Sequence, residues 1–298
     1  MQIGFIGLGR MGGSMVERLL RDKHETVAYD PNPEAGRAAA DKGARVVGDP
    51  SEMLALLAPP RAIWIMVPSG KPVDETIERL ASGMNAGDII IDGGNSNFHD
   101  SLRRHESLAR KGMRLLDVGT SGGIWGLQYG YCLMVGGDEA GYRYVEPVLK
   151  SLAPPGGYAR VGGPGAGHFA KMVHNGIEYG LMQAYSEGFH ILQGSGFNFD
   201  LHRVADLWNH ASVIRSWLLE LVAIIFEKDP RLEKIKGFVE DSGEGRWTIL
   251  EAMQEGIPAP VITLSLFARY YSRQPDAFSH RLLASLRREF GGHAVKTK

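Results

Sequence analysis

Residues 7–12 read Gly7-Leu8-Gly9-Arg10-Met11-Gly12, immediately after the apolar run QIGFI and immediately before a helix-forming stretch, MGGSMVERLL. No other feature constrains the fold as tightly. A strand that turns through glycines into a helix leaves the first N–H groups of that helix without intrahelical partners. They point, with the positive end of the helix dipole, at whatever sits above the turn. Small residues let a pyrophosphate approach the backbone, so residues 7–12 are candidate dinucleotide contacts. A GxGxxG by itself marks only a glycine-rich turn. Here Asp30 closes the second apolar run, TVAY at 26–29, at the roughly 20-residue distance that the dinucleotide fingerprint requires. A carboxylate at that place accepts hydrogen bonds from both ribose hydroxyls and repels a 2′-phosphate, and Pro31-Asn32-Pro33 offers no adjacent arginine to hold one. NAD is therefore favoured over NADP. The competing role for Asp30 is capping of the next helix, and Arg37 lies near enough in sequence to reach a phosphate.

Further short apolar runs follow, AIWIMV at 62–67, DIIID at 88–92, RLLDV at 114–118 and CLMVG at 132–136, with amphipathic segments between them. This alternation predicts βαβ units and a doubly wound, mostly parallel sheet of Rossmann type. From 154 to 167 the chain turns Pro- and Gly-rich, and beyond it helical periods dominate. The α/β class thus divides into a dinucleotide-binding domain over 1–163 and an all-α domain over 164–298. A length of 298 residues suits two cores better than one.

A hydrophobic content of 44% excludes disorder, and a formal net charge of −1 excludes a global basic field for nucleic acid or an acidic membrane. Anion recognition must come from local clusters. The lone Cys132 provides neither an internal disulfide nor a metal-ligand pair. Met1-Gln2 leads straight into Ile3–Leu8 with no room for a signal peptide, and together with the single thiol this predicts a cytoplasmic location. The most apolar later stretch, Trp217–Phe226, is too short to span a bilayer and contains Glu220, so it reads as a core helix. The basic end, Arg281–Lys298, reads by default as a frayed terminus.

The segment GAGHFAKMVHNGIEY at 165–179 opens a long helix. At roughly 100° per residue, Lys171, His174, Asn175 and Glu178 fall on one face. An ordinary solvated face is the bland alternative. It is weakened because Phe169 to Ser186 holds no other Lys, Arg, Asp or Glu, so the helix is expected to be largely buried. Gly176 and Gly180 add an expectation of close helix packing. Burial lowers a lysine pKa and raises a glutamate pKa toward neutrality, which makes Lys171 and Glu178 a candidate base and acid. His168 reads as a satisfied structural histidine, and Trp208, Trp217 and Trp247 as packing residues.

Taken together, these strings resemble 6-phosphogluconate dehydrogenase of the decarboxylating type over most of the chain. Besides the fingerprint and GAGHFAKMVHNGIEYG, Asp92-Gly-Gly-Asn-Ser96 is similar to its DGGNS element, and Ser121-Gly-Gly123 with Tyr129-Gly130 to its SGG…YG element. Gly245-Arg-Trp-Thr248 resembles its GKWT, Phe267-Ala-Arg269 its FAR, and Arg287 to His293 its R-x-x-F-G-x-H tail. The resemblance implies a Rossmann domain followed by a helical one, 6-phosphogluconate as substrate and no metal. Lys171 would be the base at the C3 hydroxyl and Glu178 the acid. Asn95, Ser121, Gly122, Gly123, His174 and Asn175 would hold the carboxylate and hydroxyls. Tyr179, Arg246, Thr248, Arg269, Arg287 and His293 would meet the phosphate, and Val67-Pro68-Ser69, with Asn95, would lie beside the cofactor.

Three departures carry weight. The chain resembles the short subgroup of the family, so part of the helical domain is missing. Asp30 and Pro31 stand where NADP-using members have Asn and Arg, and Arg246 replaces a Lys. The resemblance further implies a homodimer or homotetramer in which Arg287 and His293 reach the neighbouring site. Two other readings compete: a 3-hydroxyisobutyrate-type β-hydroxyacid dehydrogenase, which has no use for the phosphate-suited arginines, and a non-catalytic NAD-binding scaffold, against which the set Lys171, Glu178 and Asn95 argues.

Overall fold

A computed structural model describes residues 1–291 and 294–296. The chain divides into two compact units, Met1–His174 and Asn175–Lys298. The first carries one eight-stranded sheet built from β1 (Gln2–Ile6), β2 (Glu25–Tyr29), β3 (Arg45–Val46), β4 (Ala62–Ile65), β5 (Ile89–Asp92), β6 (Arg114–Ser121), β7 (Cys132–Gly136) and β8 (Tyr158–Gly162). Between the strands run α1 (Arg10–Arg21), α2 (Pro33–Ala40), α3 (Met53–Leu56), α4 (Lys71–Ala81), α5 (Phe98–Ala109), α6 (Gly126–Tyr129) and α7 (Glu139–Leu152). The long helix α8 (Ala166–Gly194) starts in the first unit and continues into the second. The second unit adds α9 (Leu201–Asn209), α10 (Trp217–Lys228), α11 (Glu244–Gln254), α12 (Pro260–Ser272) and α13 (Phe278–Gly291).

The strand order is β3-β2-β1-β4-β5-β6-β7-β8. Every neighbouring pair is parallel except β6 and β7, whose connection is too short for a crossover helix of full length. The central strands are apolar on both faces because both are covered. Ile3, Phe5, Trp64, Ile91 and Val118 pack toward Val16 of α1 and Val148 of α7, whereas Ile6, Ile63, Ile65 and Ile90 pack toward Ile77 and Leu80 of α4. The direction of winding reverses between β1 and β4, which puts the ligand crevice of such a sheet where the glycine turn after β1 meets the loop after β4.

All six expected strands form, with shifted ends. The run at 62–67 stops at Ile65, which leaves Val67 in a loop, and β6 extends to Ser121. Two strands carry no apolar alternation and were not expected: the exposed two-residue β3, and β8, which arises inside the Pro- and Gly-rich stretch as a mostly exposed edge strand.

Three expectations for the helical unit need correction. Helix α10 buries only Leu219, Ala223 and Phe226 and leaves Trp217 and Ile225 exposed, so it is half-exposed rather than a core helix. The basic end is helical through Gly291 rather than frayed. On α8, burial holds around Lys171, Met172, Tyr179 and Gly180, but Ile177, Leu181 and Met182 are exposed. The missing charges therefore mark an apolar face that a single chain leaves open. Gly176 lies against Thr248 of α11 and Gly180 against Val261 of α12, as close packing requires.

One buried ion pair ties β4 to β5. The Asp88 carboxylate accepts from the Arg61 N–H at 2.7 Å, the Asn85 N–H at 2.9 Å and the Arg61 guanidinium at 2.9 Å. Burial opposes its charged form, but these donors outweigh burial and hold the carboxyl below the usual range. A depressed carboxylate contributes stability above its unfolded pKa and loses it as pH falls through the folded one. Thermal melts should therefore show acid destabilisation below about pH 4 that is weaker in Asp88→Asn. Asp88→Ala, which strands the guanidinium, should cost about 3–5 kcal/mol at neutral pH.

Candidate active site

The turn from β1 into α1 has the geometry of an anion cradle. Helix α1 begins after Gly9 with no side-chain cap and no acidic residue in its first turn, so its leading N–H groups face outward beneath a positive helix end. A Cβ on Gly12 would collide with the Gly7 carbonyl, so no larger residue fits there. Asp30, just past β2, accepts the Leu8 N–H at 2.6 Å and the Asn32 N–H at 2.8 Å. It does not cap α2: Asn32 does, accepting the Glu34 N–H at 3.0 Å. A carboxylate has about four acceptor positions, which leaves Asp30 capacity for ligand hydroxyls. Val67, Pro68 and Ser69 follow β4 directly across the reversal point, where Met66 donates its N–H to Ile6 at 2.7 Å. These residues fit a dinucleotide.

Beside that turn, the DGGNS loop folds back on its own aspartate. Asp92, wholly buried at the end of β5, accepts the Ser96 hydroxyl at 2.7 Å and the Gly94 N–H at 3.2 Å, and Asn95 sits half-buried between them. A Cβ on Gly94 would lie 3.0 Å from the Val67 carbonyl, so the two loops are in contact. His168 holds this loop from α8. Its Nε2 lies 3.2 Å from the Gly94 carbonyl, which can only accept, so in the neutral ring Nδ1 accepts from the Ser101 hydroxyl at 2.7 Å. The structural reading of His168 agrees with this arrangement.

The start of α8 is set by Asp117 of β6, which accepts the Gly165 N–H at 2.8 Å and the His168 N–H at 2.9 Å. Burial pushes the Asp117 carboxyl up, against the opposing pull of His168 and these backbone donors. Lys171 is 7% exposed. Its stem rests on Gly119, where any Cβ would strike the Lys171 Cβ. Ser121 closes the strand with its hydroxyl 3.3 Å from His174 Nε2, and Gly122 and Gly123 continue at φ +128 and +52. Gly119→Val should therefore press on both the Lys171 stem and the Gly167 carbonyl, and a thermal melt should show a marked loss of stability.

Asn175 and Glu178 follow on α8 in the second unit, both half-buried. In that unit the structure gathers three arginines. The Asp241 carboxylate, 3% exposed, accepts Arg246 at 2.7 Å and Arg273 at 3.0 Å. Burial opposes its charge, but the two guanidinium groups prevail and hold the carboxyl low. Arg269 stacks its guanidinium 3.4 Å from the centre of the Tyr179 ring and donates to the Glu240 carbonyl at 2.9 Å. The Tyr179 hydroxyl accepts the Ser242 N–H at 3.2 Å. Tyr179, Arg246 and Arg269 are thus brought together. Thr248 is buried and donates to the Glu244 carbonyl at 2.8 Å, and Arg287 stands exposed on α13. His293 lies outside the described residues. Asp241, Arg273 and Asp117 carried no sequence signal, since each depends on a partner distant in the chain.

Among the described residues no cluster of three His, Cys, Asp or Glu is placed to hold a metal, and no helix is long and apolar enough to cross a membrane.

Comparison with known proteins sorts these features. Residues 2–162 match the family model described as the NAD binding domain of 6-phosphogluconate dehydrogenase, and residues 167–290 its C-terminal domain. A Haloferax volcanii protein named 6-phosphogluconate dehydrogenase, NAD(+)-dependent, decarboxylating, is 44% identical over 300 residues, covering 100% of this chain and 99% of its own. The solved Plasmodium falciparum 6-phosphogluconate dehydrogenase superposes with a TM-score of 0.84 at 30% identity, covering all of this chain but 66% of that one. The Mycobacterium tuberculosis 3-hydroxyisobutyrate dehydrogenase gives 0.73 at 24% identity, a likeness of fold alone. With both family models matched and a full-length relative at 44% identity, the protein is one of the 6-phosphogluconate dehydrogenase family.

Proposed function

We propose that this chain oxidises and decarboxylates 6-phosphogluconate to ribulose 5-phosphate and CO2, with NAD as its preferred acceptor. The observation that carries the reading is the gathering of Tyr179, Arg246 and Arg269 in the helical unit, because guanidinium groups suit the phosphate of a phosphorylated hydroxy acid; Lys171, buried on α8, supplies a base. The 3-hydroxyisobutyrate-type alternative has no phosphate for Arg246 and Arg269 to meet, and a scaffold has no use for the set Lys171, Glu178 and Asn95.

A bound nicotinamide supplies the hydride acceptor. Lys171 takes the proton of the C3 hydroxyl as the hydride leaves, and its stem, fixed on Gly119, keeps the ammonium at one place. The β-keto acid loses CO2 because its carbonyl accepts the released electron pair, and protonated Lys171 donates to the developing enolate oxygen. Glu178 returns a proton to C1. Asn95, Ser121, Gly122, Gly123, His174 and Asn175 hold the carboxylate and hydroxyls. Tyr179, Arg246, Thr248 and Arg269 take the phosphate end, joined by Arg287 and His293 of the tail. Functionally, 1–163 binds the dinucleotide and 164–298 binds substrate and builds the oligomer.

Asp30 supports NAD, since it is fixed by the Leu8 N–H and is not consumed as a helix cap. Steady-state assays with each cofactor should favour NAD in kcat/KM by roughly tenfold or more, given the cost of apposed like charges. A clear NADP preference would overturn the assignment. Release of CO2 and NADH from 6-phosphogluconate tests the reaction itself, and turnover of an unphosphorylated hydroxy acid instead would favour the alternative. Exposed Phe197, Val213, Ile235, Met253 and Val261 on the helical unit support a homodimer or homotetramer, which light scattering should report as a multiple of the single-chain mass.

A further inference from the structure

Helix α5 carries adjacent arginines that meet opposite fates: Arg103 is 57% exposed in its side chain and Arg104 only 2%. The buried guanidinium reaches two separate segments, the loop after β5 and the start of α4. Its Nη1 donates to Asp92 Oδ2 and to Ser96 Oγ, both at 3.1 Å, its Nη2 donates to the Gly70 carbonyl at 3.1 Å, and its Nε donates to Asp74 Oδ1 at 2.7 Å. Asp92 and Ser96 bracket the loop that carries Asn95. Gly70, at φ +84, ends the loop that carries Val67, Pro68 and Ser69 and begins α4. One planar group therefore fastens the substrate-side loop and the cofactor-side loop to each other.

Stability alone does not explain such a group. A buried ion pair contributes little net stability, because desolvation offsets the attraction, and apolar side chains of similar volume often serve as well. Apolar packing cannot, however, supply directed bonds to a backbone carbonyl, a hydroxyl and a carboxylate at fixed angles. Both loops leave β-strands at their C-terminal ends, and Arg104 bonds to each of them, through Asp92 and Ser96 on one side and the Gly70 carbonyl on the other. We infer that Arg104 is a positioning residue for the reaction: it sets the register between Asn95 and the Val67–Ser69 loop, and with it the distance between the reacting carbon and the nicotinamide. This rests on the function proposed above, in which these two loops flank the reacting atoms.

The test compares three full-length variants with the wild type by melting temperature, NADH affinity from fluorescence, and kcat and KM for 6-phosphogluconate. Arg104→Met should lower kcat/KM by roughly a hundredfold, the cost of a displacement of about an ångström. Arg104→Lys keeps the charge beside Asp92 and should restore much of the melting temperature, yet a point-charge ammonium cannot bridge both loops, so kcat/KM should stay low and NADH binding should weaken severalfold. Ser96→Ala removes one tether with almost no change in volume and should cost roughly tenfold in kcat/KM with a nearly unchanged melting temperature. A folded Arg104→Lys with wild-type kcat/KM and wild-type NADH affinity overturns the assignment, as does full activity in Ser96→Ala together with Arg104→Met. A wild type inert toward 6-phosphogluconate would instead defeat the proposed function, and the NADH titration of Arg104→Lys would still decide the tethering of the cofactor-side loop.

Discussion

Lys171→Met is expected to lower kcat for 6-phosphogluconate roughly 10²–10⁴-fold, the range a general base contributes, while NADH affinity stays nearly unchanged. Methionine is a close match in volume, and the site is already 7% exposed with its stem packed on Gly119, so the fold should accept it. In the proposed mechanism the lost group is the one that takes the hydroxyl proton and then stabilises the enolate oxygen. Near-normal turnover would remove Lys171 from the mechanism. A parallel loss of NADH affinity would mean that the substitution had disturbed the Asp117-anchored start of α8 instead.

Deleting residues 286–298 is expected to raise the KM for 6-phosphogluconate by roughly a hundredfold or more, because the proposed function has the tail bring two charged groups to the phosphate and a hydrogen bond to a charged group contributes about 1.5–3 kcal/mol. The cofactor KM should barely move, since the glycine turn and Asp30 belong to the other unit. The removed segment includes the end of α13, so Arg287→Ala serves as the gentler control and should reproduce part of the effect at full stability. Equal changes in both KM values would refute a phosphate role for the tail. A change confined to the melting temperature would do the same.

Local chemistry is legible where consecutive residues carry it. The turn at Gly7–Gly12, Asp30 at the end of the second strand and the polar stripe of α8 all follow from spacing that a regular helix or strand converts directly into direction. Elements whose faces are both exposed, such as β3 and β8, show no period and left no trace. The charge-poor stretch after Phe169 was legible as unusual, but its meaning changed: Leu181 and Met182 are apolar and open, not apolar and buried.

Arg103 and Arg104 mark the limit most sharply. They are neighbours of the same type on one helix, with equal propensity and equal charge, and only packing against β5 and the loop after β4 makes one a solvated surface group and the other a buried bridge among Asp92, Ser96 and Gly70. The same holds for Asp241, which meets Arg246 five residues away and Arg273 thirty-two residues away. The amino-acid order on its own determined the Rossmann fold, the dinucleotide turn and the residues of the α8 stripe, because those are short-range consequences of periodicity and backbone sterics. Which charges are buried, and which loops they lock together, was decided by the tertiary structure alone, since burial depends on neighbours that the chain brings together only when it folds.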